Sequence, residues 1–170
     1  IGTNGAIIED EDLDLSVYEN ALAEIKVKSK YWSELPANGK FTVLAASVLF
    51  EAEDDNCLQV FNLSNEFANL DFGFEVYFSS TLKDKTILIN VEADNGGTAT
   101  VKNLANFIDP DGAHAWNFDP AVTASILWNF YDATHVDLGA GAYGNGEFQG
   151  TLLVPNGSLT MSFPGQSGRV

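Results

Sequence analysis

The sequence predicts a mainly β fold: an irregular right-handed β-solenoid with one long α-helix, about residues 14–35, packed along it. The first reason is an asparagine that recurs at the same place in four short apolar runs. The runs are VFNL, LINV, AWNF and LWNF, and their asparagines are Asn62, Asn90, Asn117 and Asn129. A buried amide needs hydrogen-bond partners. The repetition therefore predicts similar strands that stack and bond their amides to neighbouring turns.

The second reason is the pattern of the predicted strands. The candidates are Phe41–Leu44, Val48–Glu51, Leu58–Leu63, Phe74–Phe78, Thr86–Val91, Thr98–Val101, Ser125–Phe130, His135–Leu138, Gly150–Val154 and Ser158–Phe163. Many short strands fit a sandwich or a solenoid. The runs Ile87–Ile89 and Ile126–Trp128 are apolar at every position, which is typical of strands covered on both faces and favours the solenoid. No strict period is present, so the coils are expected to be irregular.

The helix is predicted from apolar residues at near-helical spacing. They are Leu15, Tyr18, Leu22, Ile25 and Trp32. Acidic residues from Glu9 to Asp14 precede the segment, and lysines lie near its end, which suits the helix dipole. Pro36 then ends the helix. We interpret the acidic run as a helix start rather than as a metal site.

Length and charge narrow the range of partners. The 170 residues fit a single domain, 1–170, which we expect to be part of a longer polypeptide. The chain has 24 acidic and 8 basic residues and a formal net charge of −16. Phosphate contacts need lysine and arginine, so nucleic acid is not an expected partner. No apolar run approaches the roughly 18–20 residues of a membrane span, so we expect no membrane insertion.

The side chains that carry catalysis are scarce. His114 and His135 are the only histidines, neither stands next to a recognised nucleophile motif, and Cys57 is the single cysteine. Nucleophilic catalysis requires a nucleophile, a base and an orienting group, so the sequence predicts a protein that is not an enzyme. We expect Cys57 to be a small buried apolar group.

Two acidic turns have the composition of a calcium site. They contain Asp109 and Asp111 in DPDG, and Asp54 and Asp55 in EDDN. Calcium takes carboxylate and carbonyl oxygens, but the same residues form ordinary turns, so both interpretations stay open. No other cofactor is predicted. Asn62 and Asn156 begin Asn-x-Ser sequons and are candidate glycosylation sites.

Five blocks resemble, in the same order, blocks of the choice-of-anchor A domains. They are LPANG at Leu35–Gly39, LQVFNLS at Leu58–Ser64, TILINV at Thr86–Val91, ILWNFYDAT at Ile126–Thr134 and FQGTLLVPN at Phe148–Asn156. The resemblance covers roughly Leu22 to Val170. It implies an extracellular, adhesin-like domain, secreted or on the cell surface, and kinship with the ice-binding-like β-solenoid.

These observations lead to one main hypothesis and two alternatives. The main hypothesis is an adhesin or a surface or matrix domain that displays a rigid face to a surface glycan, a protein ligand or copies of itself. The aromatic residues Trp116, Trp128 and Tyr143 either stack on sugar rings or pack in the core. Ice binding is the first alternative, although Thr98–Thr100 is the only Thr-x-Thr pair. A calcium-dependent glycan-binding module is the second.

Overall fold

The computed structural model describes residues 14–43, 47–64, 74–101, 104–108, 124–138, 148–162 and 166–167. Within these ranges it contains the helix α1, Ser16–Ser33, a short 3₁₀ helix at Ser80–Leu82 and thirteen strands. The strands are β1 Gly39–Val43, β2 Ser47–Ala52, β3 Leu58–Leu63, β4 Phe74–Phe78, β5 Thr86–Val91, β6 Thr98–Val101, β7 Leu104–Ile108, β8 Ile126–Asn129, β9 His135–Leu138, β10 Phe148–Gln149, β11 Thr151–Leu153, β12 Ser158–Met161 and β13 Gln166–Ser167. The fold is mainly β with one α-helix, as predicted.

The strands form four sheets. Sheet A has the order β1-β2-β4-β7, sheet B the order β11-β8-β5-β3, and sheet C the order β12-β9-β6, while β10 pairs with β13. Every pairing is parallel except that of β1 with β2, which is antiparallel. From β4 onward the chain runs through sheets A, B and C in turn, first as β4, β5 and β6 and then as β7, β8 and β9. Each round adds one parallel strand to each sheet.

The core lies between the inward faces of the sheets and is rich in aromatic rings. Phe50 of β2 stacks on Phe78 of β4 at a centroid distance of 5.1 Å, and its edge meets Phe61 of β3 at 5.0 Å. Trp128 of β8 is fully buried, and its indole Nε1 donates to the carbonyl of Gln149 at 3.0 Å. Stacked and edge-to-face rings at this spacing stabilise a packed interior. Sheets A and B are therefore joined through aromatic packing.

The ten predicted strands all occur, with ends shifted by at most two residues. Three strands were not predicted: β7, β10 and β13. Strands β10 and β13 have two residues each, and an alternation of apolar and polar residues cannot be recognised over so short a length. The helix is two residues shorter at each end than the predicted 14–35. In the part of the chain that the structure describes, no helix has the length and hydrophobicity to span a membrane.

The prediction for Cys57 was wrong, because this residue is exposed. Cys57 precedes β3 in the turn that begins at Glu53, and its carbonyl oxygen accepts a hydrogen bond from the Thr86 amide at 2.8 Å. The backbone of Cys57 is therefore bonded to the neighbouring strand, while its side chain still belongs to the exposed turn. The expectation rested on the apolar neighbour Leu58, which is itself 39% exposed.

Candidate functional site

Three of the four recurrent asparagines form a ladder on the outer face of sheet B. Asn62, Asn90 and Asn129 occupy the same register position in β3, β5 and β8. The Asn90 Nδ2 donates to the Asn62 Oδ1 at 2.8 Å, and the Asn129 Nδ2 donates to the Asn90 Oδ1 at 2.8 Å. Parallel strands repeat at about 4.8 Å, which lets one side-chain amide reach the next. Asn117 lies outside the described residues.

Each amide of the ladder also bonds a carbonyl of the helix or of the residues just after it. The Asn62 Nδ2 donates to the carbonyl of Leu35 at 3.0 Å, the Asn90 Nδ2 to that of Trp32 at 2.9 Å, and the Asn129 Nδ2 to that of Ser29 at 2.9 Å. These partners were not predicted, since neighbouring turns were expected to supply them.

The spacing of these carbonyls explains why each amide of the ladder meets one of them. They are three residues apart, or about 4.5 Å along a helix, which is close to the strand spacing of about 4.8 Å. The helix axis therefore follows the direction in which the strands stack. The last carbonyls of a helix have no intrahelical donor, so the ladder supplies hydrogen bonds to part of the helix end.

Burial increases along the ladder from β3 to β8. Asn62 is exposed, Asn90 is 2% exposed and Asn129 is fully buried. Ser29 is the one buried residue of α1, and its hydroxyl donates to the Asn129 Oδ1 at 2.5 Å. In the next strand, β11, Leu153 occupies the equivalent position. The Asn129 Oδ1 therefore has Ser29 as its donor, because Leu153 of the next strand cannot supply one.

The edge of sheet B at β3 is covered by the segment that follows the helix. The Asn38 amide N–H donates to the carbonyl of Val60 at 3.1 Å, and the Asn38 Oδ1 accepts from the Val60 amide at 2.7 Å. The Asn38 Nδ2 donates to the carbonyl of Leu58 at 3.0 Å. The next residue, Gly39, lies so close to the Phe61 ring that a Cβ atom there would collide with it. Asn38 therefore acts as a cap on the open edge that a parallel sheet would otherwise expose.

The acidic turn at Asp54 is organised by hydrogen bonds. Its carboxylate accepts from the Gln59 Nε2 at 2.7 Å, from the Asn56 amide at 3.0 Å and from the Asn38 Nδ2 at 3.2 Å. The Gln59 side chain is the largest cause that holds the pKa of the Asp54 carboxyl below its usual value of 3.8, with further lowering by Asn56 and Asn38 against an opposing effect of burial. The Lys85 Nζ donates to the carbonyls of Asp54 and Asn56 at 3.3 and 3.0 Å.

The other residues predicted for sites are scattered. Asp55 is exposed beside Asp54, while Asp109 and Asp111 lie outside the described residues. Within the described ranges, no group of three or more His, Cys, Asp or Glu side chains is arranged to hold a metal ion. Asn156 is exposed in a turn, and its Nδ2 donates to the carbonyl of Tyr131 at 2.8 Å.

Burial also decides part of the question about the aromatic residues. Trp128 is fully buried, so of the two alternatives the structure confirms packing in the core. Trp116 and Tyr143 lie outside the described residues. Trp128 faces inward because it alternates with Leu127 and Asn129, which belong to the outer face of the sheet.

A shallow groove of about 240 Å³ lies where the helix end meets sheet B. It is lined by Ser33, Asn62, Leu63, Ser64, Asn90, Glu92 and Tyr131. Burial, followed by the negative charges of Asp132 and Glu92, raises the pKa of Tyr131 to about 12. The Lys30 ammonium lies 5.4 Å from the centroid of the Tyr131 ring. The groove combines an aromatic ring with amides, hydroxyls and a carboxylate.

Leu15, the residue just before α1, and the first part of the helix carry a row of exposed apolar side chains, which we call the helix stripe. It consists of Leu15, Tyr18, Leu22 and Ile25, which are 51, 66, 58 and 38% exposed. The sequence predicted these residues as the face packed along the strands, but only the second half of the helix has that role. Large apolar side chains exposed together on one face often mark an interaction surface.

Short parallel strands in stacked sheets, with one helix bonded along them, define the class of this chain as a mainly β domain with a flanking helix. The chain belongs to the family described as "Putative Ice-binding-like adhesive domain", whose model matches residues 2–170. No curated protein and no solved structure matches the chain.

Proposed function

We propose that this chain is a non-enzymatic adhesive domain of an extracellular, surface-attached or secreted protein, of the choice-of-anchor A type. It acts by display, in which a rigid stack of strands holds a binding face in a fixed geometry. The observation that carries the proposal is the ladder of Asn62, Asn90 and Asn129, which ties three strands and the helix into one unit. Membership of the adhesive family supports the same role.

The stack that we propose is an irregular right-handed β-solenoid. Its support is the order in which the strands fall into sheets, because β4, β5 and β6 are followed by β7, β8 and β9 in the same three sheets. Parallel in-register pairing in sheets B and C is what coils wound in one direction produce. A stack of this kind keeps its outer faces flat and stiff, which suits binding through many weak contacts.

The groove beside Tyr131 is the surface that we propose for a surface glycan. Sugars are bound by aromatic rings that cover their apolar faces and by amides and carboxylates that bond their hydroxyls. Tyr131, Glu92 and Asn62 supply these groups around the groove. A protein ligand is the other partner class for this adhesive role.

A binding screen on glycan arrays and on immobilised matrix proteins tests the proposal. We expect binding to at least one surface and a loss of about tenfold or more in affinity, about 1.4 kcal/mol, on Tyr131→Ala. We expect Glu92→Gln, which removes the carboxylate of the groove, to weaken binding as well. Glu53→Gln is its matched control, because it removes an exposed carboxylate in the turn before β3. No binding to any surface, or equal effects of these two variants, would contradict the proposal.

Ice binding is the second candidate, because the family is ice-binding-like and sheet C carries hydroxyl groups in register. Thr100 of β6, Asp137 of β9 and Thr160 of β12 are aligned across sheet C. Asp137 interrupts the threonine column with a charge, which favours the adhesive role over this one. Thermal hysteresis and shaping of single ice crystals would be measured, and their presence would favour ice binding.

Calcium dependence remains a prediction for Asp54, Asp55, Asp109 and Asp111. It is measured by repeating the binding screen with calcium and then with a chelator. A change in affinity that Asp109→Asn abolishes would support a calcium-dependent glycan-binding module. An affinity that is equal under both conditions would contradict it.

A further inference from the structure

Two exposed carboxylates lie beside the Tyr131 ring of the groove. Glu92 lines the groove, and Asp132 follows Tyr131 directly in the chain. The Asp132 carboxylate accepts from the Ala93 amide at 3.0 Å, so it lies against the residue that follows Glu92. Burial is the largest cause of the raised pKa of Tyr131, and the charges of Asp132 and Glu92 add to it. Both carboxylates therefore contribute negative potential at the Tyr131 hydroxyl.

The carboxylate of Glu92 has no ion-pair partner in the ranges that the structure describes. The ion pairs found there are Lys28 with Glu24, Lys30 with Glu34, and Lys40 with Glu51. An ionised carboxylate accepts hydrogen bonds but cannot donate them. A cationic donor also bonds it more strongly than a neutral donor does. A ligand that enters the groove can therefore satisfy Glu92 best with a positively charged donor.

Lys30 is a basic side chain that the structure places beside the groove. Its ammonium lies 5.4 Å from the centroid of the Tyr131 ring and 3.7 Å from the Glu34 carboxylate, which offsets its charge. Lys85 precedes β5 and Glu92 follows it, and six strand residues span about 20 Å. This distance exceeds the Debye length of about 8 Å at physiological ionic strength, so Lys85 does not neutralise the groove.

The balance of charge around the groove is negative. Glu92, Asp132 and Glu34 are acidic, and Lys30 is the basic residue among them. The chain as a whole carries a net charge of −16, which has the same sign. Like charges brought together across an interface oppose binding. An acidic sugar would place its carboxylate in this negative field, so the groove is unfavourable for uronic and sialic acids.

The aromatic ring offers a second favourable contact to a cation. The face of a tyrosine ring attracts an ammonium that lies within about 6 Å of its centroid. The Lys30 ammonium already lies at such a distance from Tyr131, so the surroundings of the ring tolerate a positive charge. Tyr131 and Glu92 line the same groove. A sugar that covers the ring can therefore direct a substituent toward the carboxylate.

We propose that the groove binds a glycan through a free amino group and discriminates against acidic sugars. The ammonium of the amino sugar donates hydrogen bonds to Glu92, while the Tyr131 ring packs against the sugar. Asn62, which is exposed and also lines the groove, bonds a sugar hydroxyl. This inference rests on the function proposed above, because it names the class of glycan for the same groove.

Calorimetric titration of the purified chain with three trisaccharides tests the proposal. The first has one free amino group on an N-acetylglucosamine backbone, the second is its fully acetylated form, and the third consists of galacturonic acid. We expect the amino form to bind about three- to fivefold tighter than the acetylated form, which is the range of an exposed ion pair, and the acidic trisaccharide not to bind. Equal affinities for the first two, or binding of the acidic one, would overturn the proposal.

Two variants that change the charge of the groove in opposite directions separate a specific site from a general attraction to an acidic protein. We expect Glu92→Gln to remove the preference for the amino form and Lys30→Met to increase it, because Lys30 repels a ligand cation. An acidic ligand held by Lys30 would show the reverse. Glu53→Gln and Lys83→Met are the matched controls, because both side chains are exposed before the amino ends of β3 and β5, away from the groove. Equal effects of the groove variants and their controls would overturn the proposal.

Two results distinguish the amino-sugar proposal from the adhesive role. Absence of binding to every glycan and matrix protein in the screen would contradict both. Tyr131-dependent binding to neutral or acidic glycans, with no preference for the amino form, would leave the adhesive role in place and overturn the amino-sugar proposal.

Discussion

At the residue scale, the asparagine ladder shows how an amide is accommodated in apolar surroundings. Asn90 uses both of its N–H groups, toward Trp32 and Asn62, and its oxygen accepts from Asn129. The sequence could predict that these amides have partners, because an unpaired buried amide is costly. It could not predict the helix as the partner, since Asn90 and Trp32 are 58 residues apart and their contact depends on the packing of the whole chain.

Replacing Asn90 with alanine tests the energetic role of the ladder. The change removes the acceptor of one N–H of the fully buried Asn129 side chain and one of the donors to the Trp32 carbonyl, so we expect the free energy of unfolding to fall by about 1–3 kcal/mol. Asn62→Ala is the matched control, because Asn62 is exposed and water replaces its bonds. Urea unfolding measures both variants. Equal losses would show that burial does not set the strength of the ladder.

At the element scale, the helix and the turn at Asp54 depend on different interactions. The spacing of apolar residues predicted the helix but assigned one role to all of its length, because periodicity shows which face is apolar and not what covers it. The composition of the turn at Asp54 did not distinguish a calcium site from an ordinary turn. The structure surrounds Asp54 with donors: Asn56 and Gln59 follow it closely in the chain, and Asn38 comes from the segment before β1.

The lowered pKa of Asp54 predicts a dependence of stability on pH. Because the folded state holds this carboxyl ionised, the stabilisation is present above the usual pKa of 3.8 and is lost as the pH falls through the lower folded value. We expect Asp54→Ala to lower the melting temperature at neutral pH and to make it less sensitive to acid. Melting curves between about pH 2 and pH 6 measure the effect, with Asp55→Ala as the control. An unchanged acid sensitivity would contradict this explanation.

At the scale of the whole molecule, the positions of most strands could be predicted from the sequence, but the pairing of strands could be predicted only in part. Alternating or continuous apolar runs located ten strands. The recurrent asparagine indicated that β3, β5 and β8 stack, and these three strands do pair in register. The cap at Asn38 had no sequence signal beyond a turn, because its role arises from the sheet edge that it meets.

Removing the Asn38 side chain tests its role as a cap on the β3 edge of sheet B. Asn38→Ala removes two of the three hydrogen bonds by which Asn38 holds the β3 backbone. We expect assemblies larger than those of the wild type, because the β3 edge can then accept strands of other copies. Light scattering and sedimentation velocity measure their size. Asn156→Ala, in an exposed turn, is the control, and a size distribution equal to that of the wild type would contradict the capping role.

The helix and the sheet repeat at nearly equal but different intervals, about 4.5 Å for three helical residues and about 4.8 Å for one strand. The helix carbonyls and the strand amides are therefore displaced from each other by about 0.3 Å more at each successive strand. Hydrogen bonds tolerate only a small displacement of this kind, whereas contacts between apolar side chains tolerate more. A longer straight helix along many such strands would therefore have to exchange amides for apolar side chains once the accumulated displacement exceeds what a hydrogen bond allows.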